Sequence, residues 1–350
     1  MIARTPIVGC IGGGQLGRML ALAAAPLGVA VRCLDPAEDA CAGGVCELIV
    51  GAYDDPEALA RLAYGASCVT FEFENVPAAA LRALREQTQI RPGPNSLTIS
   101  QDRLWEKQLF GRVGVPCATF ADIETPDQLE EALARTGLPA VIKTKRMGYD
   151  GKGQRVVRSR DEAEEAVAEL GDELIAEALV RFRRELSLVL VRGLDLETLF
   201  YPLVENVHVG GILSTTTAPA PGMDPALQAT CQAYGLAVAE ALHHVGVLCL
   251  EFFETDTGVL ANELAPRVHN SGHWTIEGAE TSQFENHIRA VLGLPLGSTA
   301  PRGSARMENL IGEHPPLAEL LAGGGHVHLY GKAPRKGRKL GHVTYLETAE

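Results

Sequence analysis

Three clusters in this 350-residue chain carry residue types that do chemistry. The first is the loop from Lys143 to Gln154, where Gly148, Gly151 and Gly153 alternate with Lys145, Arg146 and Lys152. Such glycines let a backbone close over phosphate oxygens, but no Gly-Lys-Ser/Thr follows, so this is not a Walker A loop. Any nucleotide would be held by a flap and by Lys143, which ends the apolar run Ala140-Val141-Ile142. An unpaired ammonium there is expensive, and a phosphate would relieve it; the alternative is a solvated basic turn. The second cluster is Glu251 and Glu263. A hairpin turning on Asp256, Thr257 and Gly258 sets them opposite each other, and two facing carboxylates call for a hard divalent cation. A shifted register would instead leave one in solvent or against Arg267. The third is LAPRVHNSGHW, whose Arg267, His269, Asn270, Ser271 and His273 suit an oxyanion or phosphate if they are not simply a polar surface loop.

A fourth feature points another way. Gly12, Gly14 and Gly17 of GGGQLG stand in GxGxxG register, with Asp35 placed to bind a ribose, which taken alone says dinucleotide. A βαβ unit needs small residues at that turn for packing whatever it binds, so an NAD-dependent oxidoreductase stays a rival reading. Lys332, Arg335, Lys336, Arg338 and Lys339 form a late basic segment, either a phosphate-binding edge or a soluble tail. Neither His243 and His244 nor His269 and His273 has zinc-ligand spacing.

The elements that must position these residues follow from apolar periodicity. Ile7 to Ile11, Val29 to Leu34 and Cys68 to Phe73 read as strands around a helix running through Leu22, and the third delivers Glu72, Glu74, Asn75 and Pro77 to its end. Pro92 to Ser100 reads as a linker. Helices are expected over Asp102 to Val113, Pro126 to Thr136, Asp161 to Leu170 (capped by Ser159 or Asp161), and from Asp224 to near Gly246. Strands are expected at Ala140 to Thr144, Val156 to Val157, Glu173 to Val180, Leu186 to Val191, Phe200 to Val207 and Gly211 to Thr215. A hairpin of Val247 to Glu254 and Val259 to Glu263 follows, and the last fifty residues read as a small appendage.

Composition narrows the classes. With 46% hydrophobic residues and a net charge of −13, the chain is globular, and a broad nucleic-acid surface is disfavoured. Met19 to Val31, the longest mostly apolar run, contains Pro26 and Gly28 and is shorter than the roughly 20 residues a membrane helix needs. No secretory leader is legible, none of the eight cysteines forms a CxxC pair, and the expectation is a cytoplasmic protein with reduced thiols.

Strand-borne lysine, glycine-rich flap and late carboxylates together resemble the ATP-grasp superfamily. GGGQLGRML, FEFENVP, RPGPNSL, DRLWEKQLF, IKTKRMGYDGKGQ, YPLVENVHVGGIL, NELAPRVHNSGHWT and HLYGKAPRKGRKLGH are similar, over nearly the whole chain, to the 5-(carboxyamino)imidazole ribonucleotide synthases of purine biosynthesis. That resemblance implies an α/β ATP-grasp fold: a Rossmann-like parallel sheet over residues 1–103, an ATP-grasp unit over 104–300 with a small α+β lid at about 122–181, and an appendage over 301–350. It implies a homodimeric carbon–nitrogen ligase that uses ATP, Mg²⁺ and bicarbonate to carboxylate 5-aminoimidazole ribonucleotide through carboxyphosphate, with a downstream mutase receiving the product. Formate-dependent phosphoribosylglycinamide and biotin carboxylase-like ligases are the nearest rivals, and a nucleotide sensor without turnover is a more distant one.

Matched motif by motif, the resemblance implies ATP contacts at Arg103, Lys143, Gly148, Tyr149, Asp150, Gly151, Lys152, Gly153, Gln154, Glu185, His208, Asn262 and Glu263, with adenine read along Glu177, Ala178, Leu179 and Val180. Mg²⁺ would sit at Glu251 and Glu263. The ribonucleotide would lie against Gln15, Leu16, Glu72, Glu74, Tyr149, Asn270, Ser271, Lys332, Arg338 and Lys339. Lys143, Asp150 and Arg267 would carry the chemistry. Met147 stands where the flap pattern leads one to expect glycine.

Overall fold

The computed structural model describes residues 5–148 and 151–347. Near the N-terminus, β1 (Ile7–Ile11), β2 (Ala30–Asp35), β3 (Glu47–Val50) and β4 (Cys68–Phe71) form a parallel sheet in the order β3-β2-β1-β4. The crossovers include α1 (Gln15–Ala24) and α2 (Pro56–Ala63), and α3 (Ala78–Arg85) follows β4. The Gly12–Gly17 turn and Glu72 therefore meet at the carboxyl edge of the sheet, where ligands of open α/β sheets sit. The segment expected as a linker folds in part as α4 (Pro94–Ser100), because Pro94 occupies the first helical turn, where a missing N–H costs nothing. α5 (Arg103–Arg112) starts on Asp102, whose carboxylate accepts from Leu104 N at 3.0 Å and Trp105 N at 3.3 Å.

A small second sheet combines β5 (Phe120–Ile123), β6 (Ala140–Thr144), β7 (Gln154–Val157) and β8 (Leu174–Ala178) in the antiparallel order β5-β8-β6-β7, backed by α6 (Leu129–Thr136) and α7 (Arg160–Leu170). Ser159 caps α7 by accepting from Glu162 N.

The large sheet holds β9 (Arg184–Arg192), β10 (Thr198–Phe200), β11 (Val204–Val209), β12 (Ile212–Ala218), β13 (Gly246–Thr255), β14 (Gly258–Ala265), β15 (Ser304–Ile311), β16 (His326–Leu329) and β17 (Lys339–Glu347). β10 and β11 both pair with β9, so the single strand expected over Phe200 to Val207 is broken at Tyr201–Leu203. α8 (Pro225–Ala241) ends well before Gly246, since His243 turns to φ +49 and Gly246 opens β13 at φ +117, a conformation that favours glycine. α9 (Thr275–Gly278) and α10 (Gln283–Leu292) follow β14, and α11 (Leu317–Ala322) lies against β16. The late strands continue the large sheet, as β15 pairs with both β12 and β17.

One core joins the N-terminal sheet to the large one, running from Val8, Cys10 and Leu20 to Val189, Val247 and Trp274. Two buried histidines fasten that seam. His287 of α10 hydrogen-bonds Thr70 Oγ1 of β4 at 2.8 Å and accepts from Val247 N, while His244 reaches Ser96 Oγ at 3.0 Å and the Val247 carbonyl. All eight cysteines are free, and among the described residues no helix is long and apolar enough to cross a membrane.

Candidate active site

The three sheets meet around a cavity of about 750 Å³. Alternation along β6 turns Ala140 and Ile142 into the core beneath α6 and α7 and leaves Val141 and Lys143 facing the cavity. Lys143 is 8% exposed and its ammonium is not bare: Glu177 Oε2 of the adjacent β8 lies 3.1 Å away. The same oxygen is 3.4 Å from Lys107 Nζ. Burial depresses the Lys143 pKa. Burial alone would raise Glu177, but the two ammoniums and the Arg103 guanidinium outweigh it and hold the carboxyl below its usual range.

The carboxylate pair comes from a hairpin whose register differs from expectation. The turn is tight, pairing Thr255 with Gly258 and Phe252 with Ala261, one step off the alignment that would oppose Glu251 and Glu263 directly. A bulge in β14 restores the match, since Leu250 pairs with Leu264 and Glu251 stands against Asn262 and Glu263 together. Arg103 Nη1 bonds Glu263 Oε2 at 3.0 Å. That guanidinium overcomes desolvation and keeps Glu263 below its usual pKa, while burial and the neighbouring Glu263 push Glu251 up to about 8. Two facing carboxyls at the cavity wall, Glu251 at 15% and Glu263 at 42% side-chain exposure, of which only one ionises readily, fit a dication, whose charge removes their conflict. Beside them, His269 Nε2 is 3.4 Å from Glu251 Oε1, and Arg267 Nη2 is 2.6 Å from Glu74 Oε1.

At the far end of the cavity the Gly12–Gly17 turn is already occupied by the chain itself. Glu72 Oε2 accepts from Gly17 N at 2.6 Å and Glu72 Oε1 accepts from Gly14 N, so its carboxylate sits on the N-terminus of α1. Asp35 is taken as well, by Gly13 N at 2.8 Å, Ala37 N at 2.9 Å and the Tyr53 hydroxyl at 3.1 Å. The anion hole and ribose partner of a dinucleotide site are thus filled from within.

Gln15, Leu16, Arg103, Gly148, Gly151, Gln154, Ala178, Leu179, Val180, Glu185, His208, Asn262, Asn270 and Lys339 all line the cavity. His208 Nδ1 lies 2.8 Å from Glu185 Oε2, an acceptor that outweighs burial and raises the imidazole pKa. The Ala178 and Leu179 amides are committed to the Thr119 and Pro139 carbonyls. Gly151 packs over the β11–β12 turn, where an added Cβ would come within 3.2 Å of Gly211 Cα. Tyr149 and Asp150 lie outside the described residues.

Three family models match along the chain: the ribonucleotide synthetase preATP-grasp domain over residues 6–101, the ATP-grasp domain over 108–284, and the phosphoribosylaminoimidazole carboxylase C-terminal domain over 305–350. N5-carboxyaminoimidazole ribonucleotide synthase of Pseudomonas aeruginosa is 52% identical over 339 residues, covering 96% of this chain and 93% of its own. The crystal structure of the Thermus thermophilus synthetase is 57% identical with a TM-score of 0.94, covering 98% of this chain and 94% of its own. The chain belongs to the N5-carboxyaminoimidazole ribonucleotide synthases. The Aspergillus clavatus synthase in complex with ADP and 5-aminoimidazole ribonucleotide, 33% identical with a TM-score of 0.90, covers 98% of this chain and 94% of its own. As a member of this synthase family the protein is an ATP-grasp ligase that carboxylates 5-aminoimidazole ribonucleotide at the expense of ATP in purine biosynthesis.

Several of the residues expected to meet the ribonucleotide also have partners within the chain. Ser271 is fully buried beneath the cavity, 2.8 Å from His269 Nδ1. Lys332 donates to Gln15 Oε1, joining the two ends of the chain, and Arg338 donates to the Ala333 carbonyl at 3.2 Å. Glu177 contributes a buried carboxylate as well as backbone. Reading the sequence also missed Glu106, Lys107, Asn309, which hydrogen-bonds Asn270, and the stacked pair Phe182 and Phe253, 4.7 Å between centroids at the cavity wall. Only the DRLWEKQLF motif signalled any of them, since the others lie in unremarkable strand and loop sequence.

Proposed function

We propose that the reaction runs through carboxyphosphate formed from bicarbonate and the γ-phosphoryl of ATP, inside the cavity between flap and hairpin. The observation that carries this reading is the array of Lys143, Arg103, Glu263 and Glu251, which line one cavity together with Gly148 and Gly151 of the glycine-rich loop. Lys143 and Arg103 neutralise the transferring phosphoryl group, whose charge spreads over its equatorial oxygens. Glu251 and Glu263, with Asn262 between them, would hold Mg²⁺, which supplies charge neutralisation at the phosphates when bound. Adenine lies along Ala178 to Val180, and Glu185, oriented by His208, takes the ribose.

An oxygen of bicarbonate attacks the γ-phosphorus and ADP leaves. Closure of Gly148 to Gln154 keeps water from the short-lived acyl phosphate. The amino group of the ribonucleotide then attacks the carboxyl carbon, phosphate leaves with the C–O bond electrons, and Asp150 accepts the amine proton. Arg267, anchored by Glu74, stabilises the carboxylate formed. Gln15, Leu16, Asn270, Lys332, Arg338 and Lys339 hold the ribonucleotide, with its phosphate toward the basic segment.

Eight free cysteines support a cytoplasmic, reducing setting. The homodimer and transfer of product to a mutase are supported by the family resemblance, and sedimentation equilibrium reads the first. The test of the reaction is ¹³C-bicarbonate with ATP, Mg²⁺ and 5-aminoimidazole ribonucleotide: one labelled carboxyl per product and one phosphate released are expected. Label uptake that needs no ATP, or turnover with formate in place of bicarbonate, would overturn it.

A further inference from the structure

The bulge that aligns the carboxylate pair lies in β14, the edge strand of the large sheet. Between Phe252↔Ala261 and Leu250↔Leu264 the buried backbone groups of β14 that face away from β13 must find a partner outside the sheet. Two consecutive side chains of α5 supply it. Leu264 N donates to Glu106 Oε1 at 2.5 Å, and Lys107 Nζ donates to the Asn262 carbonyl at 2.5 Å. Both are almost completely buried, Glu106 at 3% exposure and Lys107 at 1%. One turn earlier on the helix, Arg103 grips the Glu263 side chain. Helix α5 thus holds the bulge at three successive points, the Asn262 carbonyl, the Glu263 carboxylate and the Leu264 amide. Lys107 also shares Glu177 with Lys143, tying the hairpin to the lysine of the small sheet.

A helix packed on a sheet ordinarily presents apolar side chains, as α5 itself does with Leu109 and Phe110. Burying a carboxyl and an ammonium in the same contact is weakly stabilising at best compared with well-packed hydrophobic residues. Their placement on the two backbone groups flanking Glu263 gives them another use.

We propose that Glu106 and Lys107 are positioning residues for the reaction: they hold the β14 bulge that sets Asn262 and Glu263 against Glu251, and so fix the carboxylate pair that meets the triphosphate. This rests on the reading of Glu251 and Glu263 as the dication and triphosphate end of the site. Neither residue touches substrate in this role. Losing either should loosen metal and nucleotide without disturbing the ribonucleotide end of the cavity, where Gln15 and Lys332 lie.

The test compares Glu106→Leu, Lys107→Met and the isosteric Glu106→Gln, which keeps a carbonyl acceptor for Leu264 N. Steady-state phosphate release is measured against Mg²⁺, ATP and ribonucleotide separately. Groups that orient metal ligands typically matter 10- to 100-fold, so the apolar variants should raise the Mg²⁺ and ATP requirements by roughly that factor and leave the ribonucleotide KM within about twofold. Glu106→Gln should recover most of the loss. Amide exchange supplies a second readout that survives weak activity: the Leu264 amide should exchange faster in Glu106→Leu than in Glu106→Gln. If an apolar variant does not fold, Glu106→Gln against Glu106→Ala carries the same comparison. Three outcomes overturn the proposal: all requirements rising together, Glu106→Gln behaving like Glu106→Leu, or the apolar variants staying within twofold of wild type. Absence of ATP- and Mg²⁺-dependent phosphate release in the wild-type enzyme would count against the reading of the site instead, which keeps the two failures apart.

Discussion

Gly12 and Gly14 crowd against the chain's own Glu72, to the point that a Cβ at Gly12 would fall 2.4 Å from Glu72 Cγ; Gly148 and Gly151 line an open cavity instead. Both loops have the composition that receives phosphate. The first leads into a helix whose N-terminal amides attract an anion, and a carboxylate from the end of the neighbouring strand has settled there. The second leads into a strand, and the charge it covers is presented by Lys143 and Arg103 from other elements. Whether a glycine-rich turn binds a foreign phosphate therefore depends on what the rest of the fold has already placed in it.

Disabling the flap side should have the largest effect. Lys143→Met removes a preorganised cation and should lower ATP-dependent phosphate release by about 10²- to 10³-fold. A loss below fivefold in a direct phosphate assay would mean that the lysine is not under the γ-phosphoryl.

The seam that holds the turn against the cavity should fail next, and it should fail in acid. Burial lowers His244 to about 4, against an unfolded value near 6.5. A depressed base is protonated first in the unfolded chain, so its stability contribution is complete above pH 6.5 and is lost as pH falls toward 4. At about 1.4 kcal/mol per pH unit this amounts to about 3 kcal/mol from His244, with His287, lowered to about 3, acting in the same direction. Urea midpoints of the apoprotein at pH 7.5, 6 and 4.5 check this, and a flat profile would count against both histidines being buried and neutral.

Opening the first loop should be milder. Glu72→Ala strips the acceptor from the Gly14 and Gly17 amides and should cost about 2 kcal/mol of stability, together with a raised ribonucleotide KM through Gln15. Added formate should restore part of both by entering the vacated helix N-terminus, whereas NADH should still not bind. Formate rescue failing, with stability unchanged, would remove the internal-anion account.

The smallest effect belongs to Met147, which sits at φ +63, where an L-residue is strained by about 1–2 kcal/mol. Met147→Gly removes that strain but adds chain entropy, so melting should shift by less than about 1 kcal/mol while KM for ATP changes little. A large change in either would give the methionine side chain a contact of its own.

The same contrast explains what could be read from the sequence. Ile7–Ile11 and Ala140–Thr144 were legible to the residue because short β-branched runs bounded by glycine or proline have few other ways to fold. The segment at Pro92 was not, since its proline and glycine content hides a helix that starts on Pro94. A hairpin turn one residue longer than the one found would oppose Glu251 and Glu263 directly, and the bulge that makes up the difference has no local sequence signature. Long-range partners were invisible for the same reason: nothing near Lys143 announces Glu177, and nothing near GGGQLG says that Glu72 will turn inward. Site residues carried by contiguous motifs could be recognised; the ion pairs that set their charge states are products of packing.

The most direct measurement is phosphate release from ATP, with Mg²⁺ and bicarbonate, by wild type and Lys143→Met in the presence and absence of 5-aminoimidazole ribonucleotide. Strong stimulation of the wild type by the ribonucleotide, and its loss in Lys143→Met, is the expected result. Release from the wild type that ignores the ribonucleotide, or stimulation that survives in the lysine variant, would contradict the account.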